Sequence, residues 1–359
     1  MIGKVTHTAD FLSLIRLGMG HNVILSQKCI NWDAIEALAE EQGLLAIVLD
    51  GIEKLAGDQR PSQEQLLNWI GTVLQEYEYR YDAYTKAIAN LAGFYNSHGF
   101  KMMVLKGYAC AMNWSNPAHR PCGDIDIWLF GHQAEADKTL AGDRGINIDT
   151  SEHHHTVFYW CDFMVENHYD FLNVHHHKSN ITLETILKEL GQDDSHYVEL
   201  KDEKVYLPSP NLHALFLLRH MMSHFASTGI QIRQLMDWGF FVEKQRKEVD
   251  WTWLEEQLEK FGMKRLYQVF NAICIEDLGF DVSLFPHVRF DSKLKNRVLN
   301  DILSPEFSEK TPRNIIMRIP FKIRRWRANA WKHELCFSES MWSAFWSGVK
   351  SHLMKPSSI

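Results

Sequence analysis

Two carboxylates stand two positions apart inside an apolar run at Gly123-Asp124-Ile125-Asp126-Ile127. On a β-strand successive side chains face opposite sides, so Asp124 and Asp126 share one face and Ile125 and Ile127 the other. A strand that buries its isoleucines while aiming two carboxylates the other way needs water or a cation beside them. Hard oxygen ligands about 6–7 Å apart along a strand suit Mg²⁺, or Mn²⁺, which draws the rest of its shell from waters and substrate phosphates. Metal-assisted phosphoryl transfer also needs a glycine turn at a helix N-terminus where phosphate can approach backbone N–H groups. Basic side chains must bind the phosphates. Lys106-Gly107 offers the turn, Lys106 and Arg120 the charge, and Gly123 an open approach to the strand. A third carboxylate is expected in the run FMVENHYDF, where Glu166, His168 and Asp170 share a face by alternation. Glu166 is the choice, as metal ligand or as base for the attacking hydroxyl, with Asp170 in reserve. His168, two positions on, is placed to orient that carboxylate or to touch substrate.

The elements that must position these residues follow from hydrophobic period. Residues 8–56 read as short helices, one of them opened by Asn31 and stopped near Gly43. A long helix is expected from Pro61, in its first turn, to Ser97, ended by His98-Gly99. This N-terminal part reads as a helical platform without chemistry of its own. At Phe100 the period changes. KMMVL is a short buried strand, GYACAMNW a turn or two of helix, GDIDIWLF a strand and 132–140 a helix; 146–148 could be a further strand. The runs HTVFYW (155–160) and FMVENHYDF (163–171) are close enough to form a hairpin over Cys161-Asp162. A helix ITLETILKEL and a short strand around VYLP complete a unit of about five strands, and the pattern from Ser209 onward is helical. The fold class is α+β: a small mixed β-sheet core flanked by helical regions, divided as 1–98 (N-terminal helical), 99–208 (the α+β core) and 209–359 (C-terminal helical with a basic, aromatic tail).

The pieces Leu105-Lys106-Gly107, Arg120-Pro121-Cys122-Gly123-Asp124-Ile125-Asp126 and Val165-Glu166-Asn167-His168 resemble the uncharacterised nucleotidyltransferase family of the DNA polymerase β-like superfamily. In that family an LKG turn precedes an R-P-x-G-D-x-D strand and a later strand carries Glu-x-His. The likeness spans roughly residues 30–280. A weaker match in the helical region aligns His220 or His224, then Arg233 and Asp237, with a His followed by Arg-x-x-x-Asp. The resemblance implies a nucleotidyltransferase core. It would move a nucleoside monophosphate from a nucleoside triphosphate to an acceptor hydroxyl and release pyrophosphate, with Asp124, Asp126 and Glu166 holding the metal. Gly107-Tyr108 replaces the superfamily's usual glycine-serine pair, so no serine hydroxyl is offered to the triphosphate there. The acceptor is left open: small molecule, sugar or protein.

The remaining features bound the reading. With a net charge of −7 and 23% charged residues, the chain has no general nucleic-acid-binding character, and no nucleic acid is expected as partner. The first residues lack a cleavable signal pattern, and no stretch reaches the roughly 18 apolar residues of a membrane span. The six cysteines are scattered without a CxxC pair, which suits reduced thiols in the cytoplasm. Histidines crowd 153–177, and a transition-metal hydrolase built on them is a separate possibility, although no HExxH spacing appears. Arg233 and Asp237, four apart, are expected to pair on a helix. The tail 313–355 interleaves Arg318, Lys322, Arg324, Arg325 and Arg327 with Trp326, Trp331, Trp342 and Trp346. That composition suits peripheral contact with an anionic membrane, or a terminal helix pair packed on the body. The alternative to an enzyme is a non-catalytic nucleotide-sensing or partner-binding module on the same fold.

Overall fold

The protein is described here from a computed structural model, which covers residues 2–25, 30–152, 154–175, 177–286, 289–307, 312, 314–343 and 346. His153, His176 and Arg313 of the sequence reading lie outside the described residues, as does the tail beyond Trp346. Six strands form one mixed sheet: β1 (Met103–Val104), β2 (Ile125–Trp128), β3 (His155–Trp160), β4 (Phe163–His168), β5 (Tyr197–Leu200) and β6 (Glu203–Tyr206). Their order is β3-β4-β2-β1-β6-β5. The β2–β4 and β1–β6 pairs are parallel, and β1–β2, β3–β4 and β5–β6 are antiparallel.

The two outer pairs are tight hairpins. Cys161 (φ 48°) and Asp162 (φ 66°) turn β3 into β4, and Lys201 (φ 51°) and Asp202 (φ 68°) turn β5 into β6. Two successive positive φ values give the turn whose twist matches that of the strands it joins. The first hairpin is the one expected from the sequence. β5 is an addition to the expected strands; its alternately exposed YVEL carries little apolar signal. Residues 146–148 are not a strand: the segment makes only an isolated bridge, Asp149 to Val157. Two glycines, Gly142 and Gly145, and the charged pair between them end the preceding helix there, and Gly145 takes its left-handed cap (φ 64°).

The long helix is present as Gln63–Val73, a π-helical turn Leu74–Tyr79 and Arg80–Ser97. Ser62, whose side chain accepts from the Gln65 N–H, is its N-cap, so Pro61 stands outside the first turn rather than in it. Gly99 (φ 79°) follows its last turn. The second half of this helix packs Tyr84, Ile88, Leu91 and Tyr95 on the sheet face that carries Ile125, Ile127 and Val165. The other face meets a larger core. That core joins the N-terminal helices Ile2–Gly18, Trp32–Glu41 and Leu45–Glu53 to the C-terminal helices Pro210–Ser227, Ile232–Gln245, Trp251–Lys260, Lys264–Glu276 and Ser292–Leu303. Asn31 caps the second of these helices by accepting from the Ala34 N–H. In the tail, helices Ile315–Ala328 and Ala330–Cys336 follow; Trp331 packs against the larger core, whereas Trp342 is 65% exposed. Among the described residues no helix is long and apolar enough to cross a membrane.

Candidate active site

The register of the sheet builds the site. Asp126 on β2 stands directly beside Glu166 on the parallel neighbour β4, and His168 pairs across β3 with His155. Alternation then sends Asp126, Glu166, His168 and His155 to one face, with Ile125, Ile127 and Val165 on the other. The Lys106–Ala111 helix follows β1 at once, and the Leu105 N–H donates to the Asp126 carbonyl at 2.9 Å. Lys106 is thereby aimed across β2, and its Nζ lies 2.6 Å from Asp126 Oδ1. His168 Nε2 lies 2.9 Å from the same oxygen and 3.5 Å from Glu166 Oε2, and His155 Nε2 lies 3.8 Å from Glu166 Oε1.

Electrostatics follow the geometry. Burial alone would raise the Asp126 carboxyl, but the Lys106 ammonium and the His168 hydrogen bond outweigh it and hold the pKa below the usual range. Burial likewise raises Glu166, and the His168 hydrogen bond with the Lys106 charge brings it below its ordinary value. Asp124 goes the other way: burial and the Asp126 charge raise it. His168 is pulled down by burial but raised on balance by its two carboxylates, so it favours the imidazolium. On the helix facing them, His220 and His224 are driven down by burial and the Lys106 charge, which keeps them neutral.

These groups line a cavity of about 560 Å³ between the sheet face and the helices Pro210–Ser227 and Ile232–Gln245. All eight site residues singled out in the sequence border it: Lys106, Gly107, Arg120, Gly123, Asp124, Asp126, Glu166 and His168. Asp126, Glu166 and His168 each turn one ligand atom into a group whose members lie within 4.8 Å of one another. The two carboxylate oxygens so placed could hold a divalent ion, with His168 as their hydrogen-bond partner. Asp124 borders the cavity outside that group. Asp170, the reserve carboxylate, is paired instead with Lys188 on the helix Lys178–Leu190.

The approach to β2 is held by side chains from distant parts of the chain. Arg80 donates to the Cys122 carbonyl at 3.2 Å, and Tyr84 donates to the Asp124 carbonyl at 2.7 Å. The long helix therefore positions the site, contrary to its reading as a platform without chemistry. Gly107 is required by that contact: a Cβ on it would stand 2.8 Å from the Tyr84 hydroxyl and 3.5 Å from the Asp124 carbonyl. Arg120 is held by Asp237, with Nε to Oδ1 at 2.7 Å and Nη2 to Oδ2 at 2.9 Å, and Trp114 Nε1 donates to Oδ1 at 2.8 Å. Asp237 thus pairs with Arg120 and not with Arg233, four residues away on the same helix. Spacing on a helix permits that local pair, but the fork of Arg120 meets both carboxylate oxygens at once.

With this geometry in place, the chain can be compared with known proteins. The family model described as "Uncharacterised nucleotidyltransferase" matches residues 28–276. The chain belongs to that family. No functionally curated protein matches it. Among solved structures, an antigenic nucleotidyltransferase-like protein from Paracoccidioides brasiliensis matches with 13% identity and a TM-score of 0.34, covering 50% of this chain and 88% of that one. A likeness that loose bears no weight. Within the nucleotidyltransferase family reading, Lys106, Asp126, Glu166 and His168 gather at one point of the cavity, while Arg120 is held at Asp237. Sequence spacing carried no signal for the tethers Arg80 and Tyr84, since their partners lie on other elements.

Proposed function

We propose that this protein is a divalent-metal-dependent nucleotidyltransferase that moves a nucleoside monophosphate from a nucleoside triphosphate to an acceptor hydroxyl. The observation that carries the reading is Asp126 beside Glu166 on parallel strands at the wall of a cavity, one oxygen of each within 4.8 Å of the other and of a His168 nitrogen. Family membership supports nucleotidyl transfer in general. The metal, the triphosphate and the acceptor are this reading's own.

Asp126 and Glu166 would hold Mg²⁺ or Mn²⁺, with Asp124 as the further carboxylate at the cavity wall. When bound, the ion would supply charge neutralisation for the triphosphate and its departing pyrophosphate. The residues do the rest. His168 bridges both carboxylates and fixes their orientation, as an outer hydrogen-bond partner does at metal sites. Lys106, displaced from Asp126, is left next to the cavity as a cation for phosphate oxygen. The acceptor oxygen bonds to the α-phosphorus, the bond from that phosphorus to the bridging oxygen breaks, and pyrophosphate leaves. Asp124, at the cavity wall, would accept the proton of that hydroxyl. The neutral His220 and His224 line the same space and offer hydrogen bonds without charge.

Thermal-shift titration with each of the four nucleoside triphosphates, with and without Mg²⁺, tests the reading first. Stabilisation by one of them only when metal is present is expected. No stabilisation by any would defeat the proposal. Stabilisation with no transfer of α-label to any acceptor would favour the non-catalytic module.

A further inference from the structure

Lys106, Arg120 and Arg233 all border the cavity, and two of them already hold a carboxylate. Lys106 is ion-paired with Asp126 and Arg120 with Asp237. Arg233, on the first turn of the helix Ile232–Gln245, lines the same cavity, and among the described residues no carboxylate lies within ion-pairing distance of it. Its Nε is buried without a hydrogen-bond partner, and Nη2 donates at 3.3 Å to the amide oxygen of Gln231, a neutral group. A buried guanidinium left without a counter-charge is unfavourable unless something else supplies one.

The side chain is also held in place. Gly43, in a left-handed conformation (φ 64°), lies so close that a Cβ there would stand 3.1 Å from Arg233 Cδ and 3.2 Å from Nε. The shaft of the arginine therefore lies flat on the Gly43 backbone, and its head stays at the cavity wall. Asp124 borders the same cavity. Asp126, Glu166 and His168 gather there within 4.8 Å of one another, and Arg233 adds a guanidinium that, among the described residues, has no carboxylate in ion-pairing distance.

We propose that Arg233, and not Arg120, is the arginine that binds the β- and γ-phosphates of the triphosphate. This rests on the nucleotidyltransferase reading above for the identity of the anion. A guanidinium presents its N–H groups as a planar fork that matches two phosphate oxygens. Arg120 has no such fork to offer, because Asp237 takes Nε and Nη2. Arg233 also answers the lack of a serine beside Gly107: the terminal phosphates are gripped from the C-terminal helices instead of from the turn after β1.

Inorganic tripolyphosphate, titrated calorimetrically with Mg²⁺ into the full-length protein, isolates this contact from the chemistry. The wild type is expected to bind it. Arg233→Gln is expected to bind at least 10-fold more weakly, and Arg233→Lys, which keeps the charge but loses the fork, in between. Equal affinity in Arg233→Gln and wild type, with melting temperatures alike, would overturn the proposal, as would a wild type that does not bind tripolyphosphate. Arg233→Lys keeps the test open if the glutamine variant fails to fold. Transfer of α-label, measured in parallel, separates the two ideas. Tripolyphosphate binding that depends on Arg233 without any transfer would sink the enzyme reading alone. Transfer with an unchanged KM for the triphosphate in Arg233→Gln would sink the arginine's role alone.

Discussion

Asp237→Asn is expected to destabilise the protein by about 3–5 kcal/mol, the cost of breaking a buried ion pair from one side. The side chains of Arg120 and Asp237 are 7% and 2% exposed, so little solvent screens them. Both Asp237 oxygens are engaged, by Arg120 at 2.7 and 2.9 Å and by Trp114 at 2.8 Å. Unit charges about 4 Å apart attract by roughly 4 kcal/mol at the effective dielectric of a protein, against roughly 1 in water. Asparagine keeps one acceptor but turns an NH₂ toward the guanidinium, so the loss includes an unpaired buried donor. Replacing both partners by apolar groups, Arg120→Met with Asp237→Leu, removes the charge that would be stranded. The double variant is expected to recover part of the loss, the remainder being the Trp114 N–H left without an acceptor, about 1–3 kcal/mol. Urea unfolding of wild type, single and double variants at pH 7 gives the three numbers. A loss below 1 kcal/mol in Asp237→Asn, or a double variant no better than the single, would refute this account of Arg120 as the tether of the segment that leads through Asp124 into β2.

Two further perturbations test other parts of the framework. Gly107→Ala places a methyl 2.8 Å from the Tyr84 hydroxyl, and overpacking of this kind costs about 1–3 kcal/mol; Tyr84→Phe in the same chain should return part of it, and a melting temperature unchanged by Gly107→Ala would show that the contact is not tight. His213 is fully enclosed 3.6 Å from the Cys110 sulfur, and burial pushes its pKa down to about 4. The unfolded chain takes up a proton near pH 6.5 that the folded one refuses, so this contribution is present above pH 6.5 and lost as pH falls toward 4. Between pH 7 and 5 the loss is about 2 kcal/mol, and His213→Leu should flatten the unfolding free energy over that range by the same amount; an unaltered slope would contradict the shift.

The parts of the fold legible in the sequence are those whose signal is local. FMVENH became β4 and the IDIW part of GDIDIW became β2, with Ile125 and Ile127 on the face opposite Asp126, whereas Asp124 precedes the strand. The hairpin over Cys161-Asp162 followed from the shortness of the gap, although neither residue is glycine. Asn31 and Gly43 punctuate their helix by cap chemistry that needs no tertiary context. What escaped depends on groups far apart in the chain. Asp126 beside Glu166 requires the parallel pairing of β2 with β4, which only the fold sets. Arg120 and Asp237 are 117 positions apart, whereas helical spacing pointed to Arg233 as the partner of Asp237. Arg233 is thereby left, among the described residues, without a carboxylate in ion-pairing distance. Lys106 read as a phosphate ligand on sequence; in the structure its ammonium is ion-paired with Asp126. The aromatic and basic tail is divided, with Trp331 on the body and Trp342 exposed, so neither reading of that segment takes all of it.

The central claim is that Asp126 and Glu166 support nucleotidyl transfer. Purified wild type and Asp126→Asn, each shown to be folded by circular dichroism, would be incubated with the four α-labelled nucleoside triphosphates, Mg²⁺ and a cleared cell extract as acceptor source. Labelled product with stoichiometric pyrophosphate is expected from the wild type, falling at least about 1,000-fold in Asp126→Asn, as removal of a group that stabilises transition-state charge does. Transfer by Asp126→Asn at the wild-type rate would contradict the account.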